Sequence, residues 1–213
     1  ELEELNYIPL DTVKPRWDGH NNKKVFLLRE QGIGDIIMFS SMIPELHSNI
    51  ENVIFECDQK LVSLFKRSFP NNIRYVTDRI EVNASDYDSH IPIGSLPLYF
   101  RKNLIDFQNT SSGWLQADTE KVKSIRKILT KNKFKKIVGI SWKTISLLTQ
   151  SRLRNIELKT IVKTLQKLDI EFVNLQYGDV SAEIKNLRLE QGIKILEIPN
   201  IDLFNDIDGL ASI

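Results

Sequence analysis

The residue types with the most chemistry in them sit together at Glu30-Gln31-Gly32-Ile33-Gly34-Asp35. Glycines in a turn leave main-chain N–H groups uncovered and let a ligand approach the backbone closely. Free N–H groups at a helix start attract an anion, and a carboxylate there can take a proton from a substrate hydroxyl. Asp35 also suits a plainer task, because its side chain can accept a main-chain N–H and favour the positive end of a helix. Spacing alone leaves both readings of Asp35 open. The third glycine that a GxGxxG dinucleotide turn requires is missing.

Other candidates are weaker. Asp86 and Asp88 are metal-ligand types without a partner cluster, so no metal site is assigned. Cys57 closes the apolar run Val53-Ile54-Phe55 and reads as a packed strand-end residue. A single cysteine excludes a disulfide framework within the chain and fits a reducing compartment.

Strands and helices must position these residues, and the apolar pattern supplies both. The short, β-branched and aromatic run at 25–28 predicts a buried strand. Ile36, Phe39, Ile43 and Leu46 predict one helix over 35–47. Further strands are expected at 53–57, 73–76 and near 89–93, with a short helix over 61–69. Asp118 or Thr119 caps a helix to 130, whose stripe is Val122, Ile125, Ile128 and Leu129. Strands at 137–142, 171–176 and 193–198 then alternate with helices over 158–168 and 181–190, and a last helix begins near Asn205.

This βαβα rhythm predicts an α/β fold of two Rossmann-like domains with parallel sheets. Residues 1–22 read as a linker or N-terminal extension, with Trp17 anchored on the domain surface. The first domain takes 23–134 and the second 135–213, divided at the basic stretch near Lys133 to Lys136. The second domain, with three strands, is expected to be incomplete.

Charge and hydropathy narrow the function classes. The 213 residues carry 29 basic and 28 acidic side chains, a formal net charge of +1. That is no nucleic-acid footprint, which needs a basic excess gathered on one face. No apolar run approaches the length of a membrane span, and no basic-then-apolar leader opens the chain. A soluble, cytoplasmic protein is expected, and a first residue other than methionine suggests a piece of something longer.

Six stretches, in order, carry a resemblance. They are Pro15-Arg16-Trp17-Asp18-Gly19, Glu30-Gln31-Gly32-Ile33-Gly34-Asp35, His90-Ile91-Pro92-Ile93-Gly94-Ser95-Leu96-Pro97, Val138-Gly139-Ile140-Ser141-Trp142-Lys143, Asn174-Leu175-Gln176-Tyr177-Gly178-Asp179 and Asn205-Asp206-Ile207-Asp208-Gly209-Leu210-Ala211. Together they resemble the glycosyltransferase-like domain that follows tetratricopeptide repeats in bacterial proteins. That domain is similar to the ADP-heptose:LPS heptosyltransferases, which have the two-domain GT-B architecture.

The resemblance implies inverting, metal-independent transfer of a sugar from a nucleotide-sugar, used as co-substrate with no other cofactor. The acceptor, a glycan, lipid or protein, lies on the side of the first domain. Asp35 is then the general base, with Gln31, Gly32 and Gly34 around the acceptor. His90 has two readings, a contact to the acceptor or the surface or hydrogen-bonded histidine that a lone His in a loop more often is. Lys143, Arg152 and Arg154 hold the donor diphosphate, and Gln176, Tyr177 and Gly178 lie beside them. Arg154 stands before Asn155-Ile156 where relatives have an Arg or Lys ahead of a Ser-Ile pair. Relatives complete the nucleotide pocket with a segment following the position of Ile213, so these 213 residues alone are expected to be inactive or nearly so. The alternative from another class is a non-catalytic sugar- or nucleotide-binding or scaffold module beside tetratricopeptide repeats. An NAD-type oxidoreductase is weaker still, since Cys57-Asp58 offers the sole acid at the end of the second strand.

Overall fold

The computed structural model describes residues 10–20, 24–30, 32–108, 113–130, 136–144 and 154–213. The chain divides into two compact units, Glu1–Gln116 and Ala117–Ile213.

The first unit is built on β1 (Lys24–Leu28), whose Val25, Phe26, Leu27 and Leu28 are completely buried. A strand apolar on both faces needs cover on both, which parallel β–α–β winding supplies. After β1 come α1 (Ile33–Ser40), α2 (Ile43–Asn49), β2 (Asn52–Glu56), α3 (Gln59–Ser68), β3 (Ile73–Val76), β4 (Ser89–Pro92) and the short α4 (Pro97–Phe100). The strands pair in parallel in the order β3-β2-β1-β4.

The single helix expected over 35–47 is two. Pro44 in the first turn of α2 has no N–H to offer the Ser40 carbonyl, so the ladder stops and Ser41-Met42 turn. Ser40 itself is buried, where its Oγ accepts from the Trp114 indole at 3.0 Å.

The described part of the expected linker, 10–20, is packed structure rather than a linker. Arg16 bridges to His90 in parallel, with the Trp17 N–H donating to the His90 carbonyl at 2.8 Å and the His90 N–H to that of Pro15 at 3.1 Å. Trp17 is 2% exposed rather than lying on the surface, with its ring 4.9 Å from Tyr99 and 5.9 Å from Phe100. The Tyr99 hydroxyl donates to the Trp17 carbonyl at 2.9 Å. Gly19 has φ +91°, and a Cβ there would stand 2.4 Å from the Tyr99 ring. No other residue type fits that turn.

The second unit contains α5 (Thr119–Leu129), β5 (Lys136–Ile140), α6 (Leu158–Leu165), β6 (Ile170–Asn174), α7 (Ser181–Gln191), β7 (Ile195–Leu196) and α8 (Ile207–Leu210). Its parallel sheet has the order β5-β6-β7. Asp118 caps α5 by accepting from the Glu120 and Lys121 N–H groups, each at 2.9 Å. The α5 stripe Ile125 and Leu129 packs with Val173 of β6, which is why the division falls after Gln116 and not near 133–136. Among the described residues no helix is long and apolar enough to cross a membrane.

If 10–20 belongs to the fold, removing its anchor must cost stability. Trp17→Ala is expected to lose about 3–5 kcal/mol by denaturant unfolding, and Gly19→Ala to unfold at lower temperature than the parent. A true linker would leave both transitions unmoved.

Candidate functional site

The order β3-β2-β1-β4 reverses direction between β1 and β4, and open parallel sheets bind ligands where that happens, beyond the carboxyl ends of the strands. At this point β1 runs into Arg29-Glu30 and β4 into Ile93-Gly94-Ser95. The Gly94 N–H donates to Glu30 Oε2 at 2.9 Å. A Cβ on residue 94 would stand 2.8 Å from that same oxygen, so a larger residue there must displace the Glu30 carboxylate. Arg16 Nη2 reaches Ser95 Oγ at 3.1 Å from the N-terminal segment.

Asp35 lies in the first turn of α1, half-buried. Its Oδ2 accepts the Gly32 N–H at 3.2 Å, so the capping task is real. Among the described residues its Oδ1 has no partner. A Cβ on Gly34 would meet nothing within 4 Å. Packing therefore does not demand glycine at 34, although glycine is a poor helix residue. Gln31 lies outside the described residues.

His90 is not with them. It pairs with Phe26 in mid-strand, two residues before β4 ends, and its main chain serves the 10–20 segment. Burial, then the Arg16 charge, hold its pKa below the ordinary value, against a bond to the Lys14 main chain that raises it. Its Nδ1 is buried without a partner among the described residues.

Beside the switch point the last residue of β2 is an acid that the sequence reading passed over by ending the strand at Cys57. Glu56 is 2% exposed and held by Arg79 through two bonds of 3.1 Å, with Arg29 Nε at 3.6 Å. Asp58 instead caps α3. Cys57 is buried, and burial above all pushes its thiol to about 12, so it is inert. Asp86 and Asp88 serve the fold, pairing with Arg74 at 3.1 Å and the Lys24 N–H at 3.1 Å.

In the second unit the carboxyl ends of β5 and β6 are joined by Gln176. Its Oε1 accepts from the Trp142 N–H (2.8 Å), the Lys143 N–H (2.9 Å) and Ser141 Oγ (3.1 Å). Its Nε2 donates to the Tyr177 carbonyl at 2.9 Å, and the residue is 1% exposed. Gln176 is thus a positioning residue and not a contact for a base or phosphate.

Lys143 carries its ammonium to the Glu183 carboxylate in the first turn of α7, which also accepts the Trp142 indole N–H at 2.8 Å. Burial raises the Glu183 pKa, but the bonds from Lys143 and Trp142 outweigh it and leave the carboxyl below its ordinary value. The chain returns to this edge at Asn155, whose Oδ1 accepts the Thr144 N–H at 2.8 Å, and at Ile156, whose N–H donates to the Trp142 carbonyl at 2.9 Å. Arg154 is exposed just before that tie. Arg152 lies outside the described residues. Tyr177 is half-buried, Gly178 exposed with φ +86°. Both line a cleft of about 420 Å³ beyond β6 and β7, together with Asn174, Glu197, Asp202 and Phe204. The sequence reading missed Glu30, Glu183, Asn174 and Phe204. Glu30 and Asn174 stood inside its quoted stretches, and Glu183 had the signal of an acid in a helix's first turn.

Among known proteins, the chain is similar to Protein FlbA of Caulobacter vibrioides, 28% identical over 216 aligned residues. The match takes in 93% of this chain and 36% of FlbA, so the chain spans little more than a third of that relative's length. No protein-family model matches the chain, and no solved structure does.

Replacing Gln176 with Leu strips buried N–H groups of their acceptor, at about 1–3 kcal/mol each. The expected loss is about 3 kcal/mol, read by denaturant unfolding. For His90 the folded pKa is depressed, so its contribution is complete above about pH 6.5 and is lost as pH falls through the folded value. Melting temperature is expected to fall with pH in that window, with a flatter profile for His90→Gln.

Proposed function

We propose that this chain is part of an inverting, metal-independent glycosyltransferase of GT-B type, which moves a sugar from a nucleotide-sugar to an acceptor hydroxyl. The observation that supports this most is Asp35. One carboxylate oxygen is fixed on the Gly32 N–H and the other has no partner among the described residues, beside a Gly34 that packing does not require. A fixed carboxylate with a spare oxygen is what a general base needs.

In this reading Asp35 Oδ1 takes the acceptor's hydroxyl proton while the acceptor oxygen attacks the anomeric carbon. The bond from that carbon to the donor's phosphate oxygen breaks on the opposite face, and the anomeric configuration inverts. The nucleoside diphosphate leaves with the bond's electron pair, and Lys143 with Arg154 stabilises its charge, the part a metal plays in other transferases. Glu183 must yield Lys143 to the diphosphate for this to happen. The acceptor is a glycan, lipid or protein, and the setting is cytoplasmic, beside tetratricopeptide repeats.

A second reading, a non-catalytic sugar- or nucleotide-binding or scaffold module, draws support from two of the same observations. Asp35 already caps a helix, and Lys143 is already neutralised.

Two substitutions in the full-length protein separate them. Asp35→Asn keeps an oxygen for the Gly32 N–H but is no base, so transfer is expected to fall by about 10²–10⁴-fold with the melting temperature unchanged. Asp35→Ala removes the cap as well and is expected to cost about 1 kcal/mol of stability. Transfer that survives Asp35→Asn would leave Asp35 a cap alone.

A further inference from the structure

We infer that the exposed face of α5 is a docking surface for an anionic membrane, held against the lipid headgroups by lysine and arginine. The inference goes beyond the transferase reading and does not depend on it.

The charge of this chain is gathered rather than spread. Residues 121–136 hold eight basic side chains and no acidic one, in a chain whose formal net charge is +1. The remaining residues are therefore net acidic, and the near-neutral total conceals a local excess. Clusters of about four to eight Lys or Arg on an amphipathic helix attract anionic lipid.

The helix α5 has that character. Ile125 and Leu129 are buried with Val173 of β6, and the other side presents Lys123, Ser124, Arg126, Lys127 and Thr130 to solvent. Lys121 is spent inside the unit, on Asp206 at 3.3 Å. Lys123 meets Glu120 at 2.7 Å, an exposed pair that water and salt screen. Arg126, Lys127 and Lys136, which is exposed at the start of β5, have no ion-pair partner among the described residues. The dipole of α5 favours cations in its last turn, where Arg126 and Lys127 stand, but accounts for neither Lys123 nor Lys136.

The position sets this face apart from the candidate diphosphate contacts. The carboxyl end of α5 leads to the amino end of β5, whereas Lys143 and Gln176 stand beyond the carboxyl ends of β5 and β6.

Composition favours lipid over nucleic acid. Seven of the eight basic residues are Lys, a compact hydrated charge, and one is Arg, whose planar fork grips single phosphates. The exposed face of α5 has no aromatic ring to stack on a base and no side-chain amide to read one. Ile137, next to Lys136 and 39% exposed, adds an apolar side chain of the kind that enters a headgroup layer.

The test is co-sedimentation of the full-length protein with vesicles of phosphatidylcholine that contain phosphatidylglycerol, and with vesicles of phosphatidylcholine alone. Binding to the anionic vesicles only is expected, and it weakens as salt rises. Each basic residue near the surface is worth about fivefold. Lys123→Gln, Arg126→Gln and Lys127→Gln together are therefore expected to weaken binding about 10²-fold, with the melting temperature unchanged. Arg126→Lys keeps the charge and is expected to bind as the parent does. Should the triple variant fail to fold, hydrogen exchange on the unsubstituted protein decides, with amides 123–130 expected to slow when anionic vesicles are added. Anionic vesicles left unbound, neutral vesicles bound equally well, or binding that survives the triple substitution would overturn the inference. Random-sequence RNA retained through the same three side chains, with the vesicles left unbound, reassigns the face to nucleic acid and overturns it as well.

Discussion

The first unit depends on one hydrogen bond across the place where its sheet changes direction. Just beyond the ends of β1 and β4, the Gly94 N–H is held on the Glu30 carboxylate. The bond is charge-assisted, hence stronger than a neutral pair, and it fixes the residue two places before Gly32. The turn that carries Asp35 therefore starts from a held point. A side chain at residue 94 would push that oxygen away.

The second unit uses the same device with a neutral group. Gln176 at the end of β6 gathers the N–H groups that β5 leaves open, and so sets where Trp142 and Lys143 stand. In both units a side-chain oxygen from one strand's end accepts main-chain N–H groups from its neighbour's. Such bonds hold the loops at the sheet edges still, and preorganised groups are what binding and catalysis demand. The same reasoning explains why Gln176, buried with its amide engaged by the main chain, positions its neighbours.

The strands were legible because their period and residue types leave few alternatives. Residues 25–28 and 73–76 are strands as read, and Asp118 caps α5 at the predicted place. The class, parallel sheets with helices between strands, follows from that alternation. Apolar period is blind to backbone donors, however, and so the Pro44 break in 35–47 was lost although proline was in view. The 10–20 segment looked like a linker since it lacks any period. Its burial comes from one tryptophan, one glycine at positive φ and a partner strand some 75 residues away, a tertiary fact (Arg16 to His90) that no local window contains. The candidate site divided in the same way. Asp35 and the glycines were visible as types at a turn, whereas the pairing of Lys143 with Glu183 and the burial of Gln176 arise only once α7 docks on the sheet.

The central claim is that an acceptor hydroxyl, activated at Asp35, displaces the nucleoside diphosphate in a single step. Proton NMR of the sugar's anomeric centre, followed as the full-length protein consumes a nucleotide-sugar, tests it most directly. The account predicts a product whose anomeric configuration is opposite to the donor's from the first turnover. A product of retained configuration, or no consumption of any nucleotide-sugar, would contradict it.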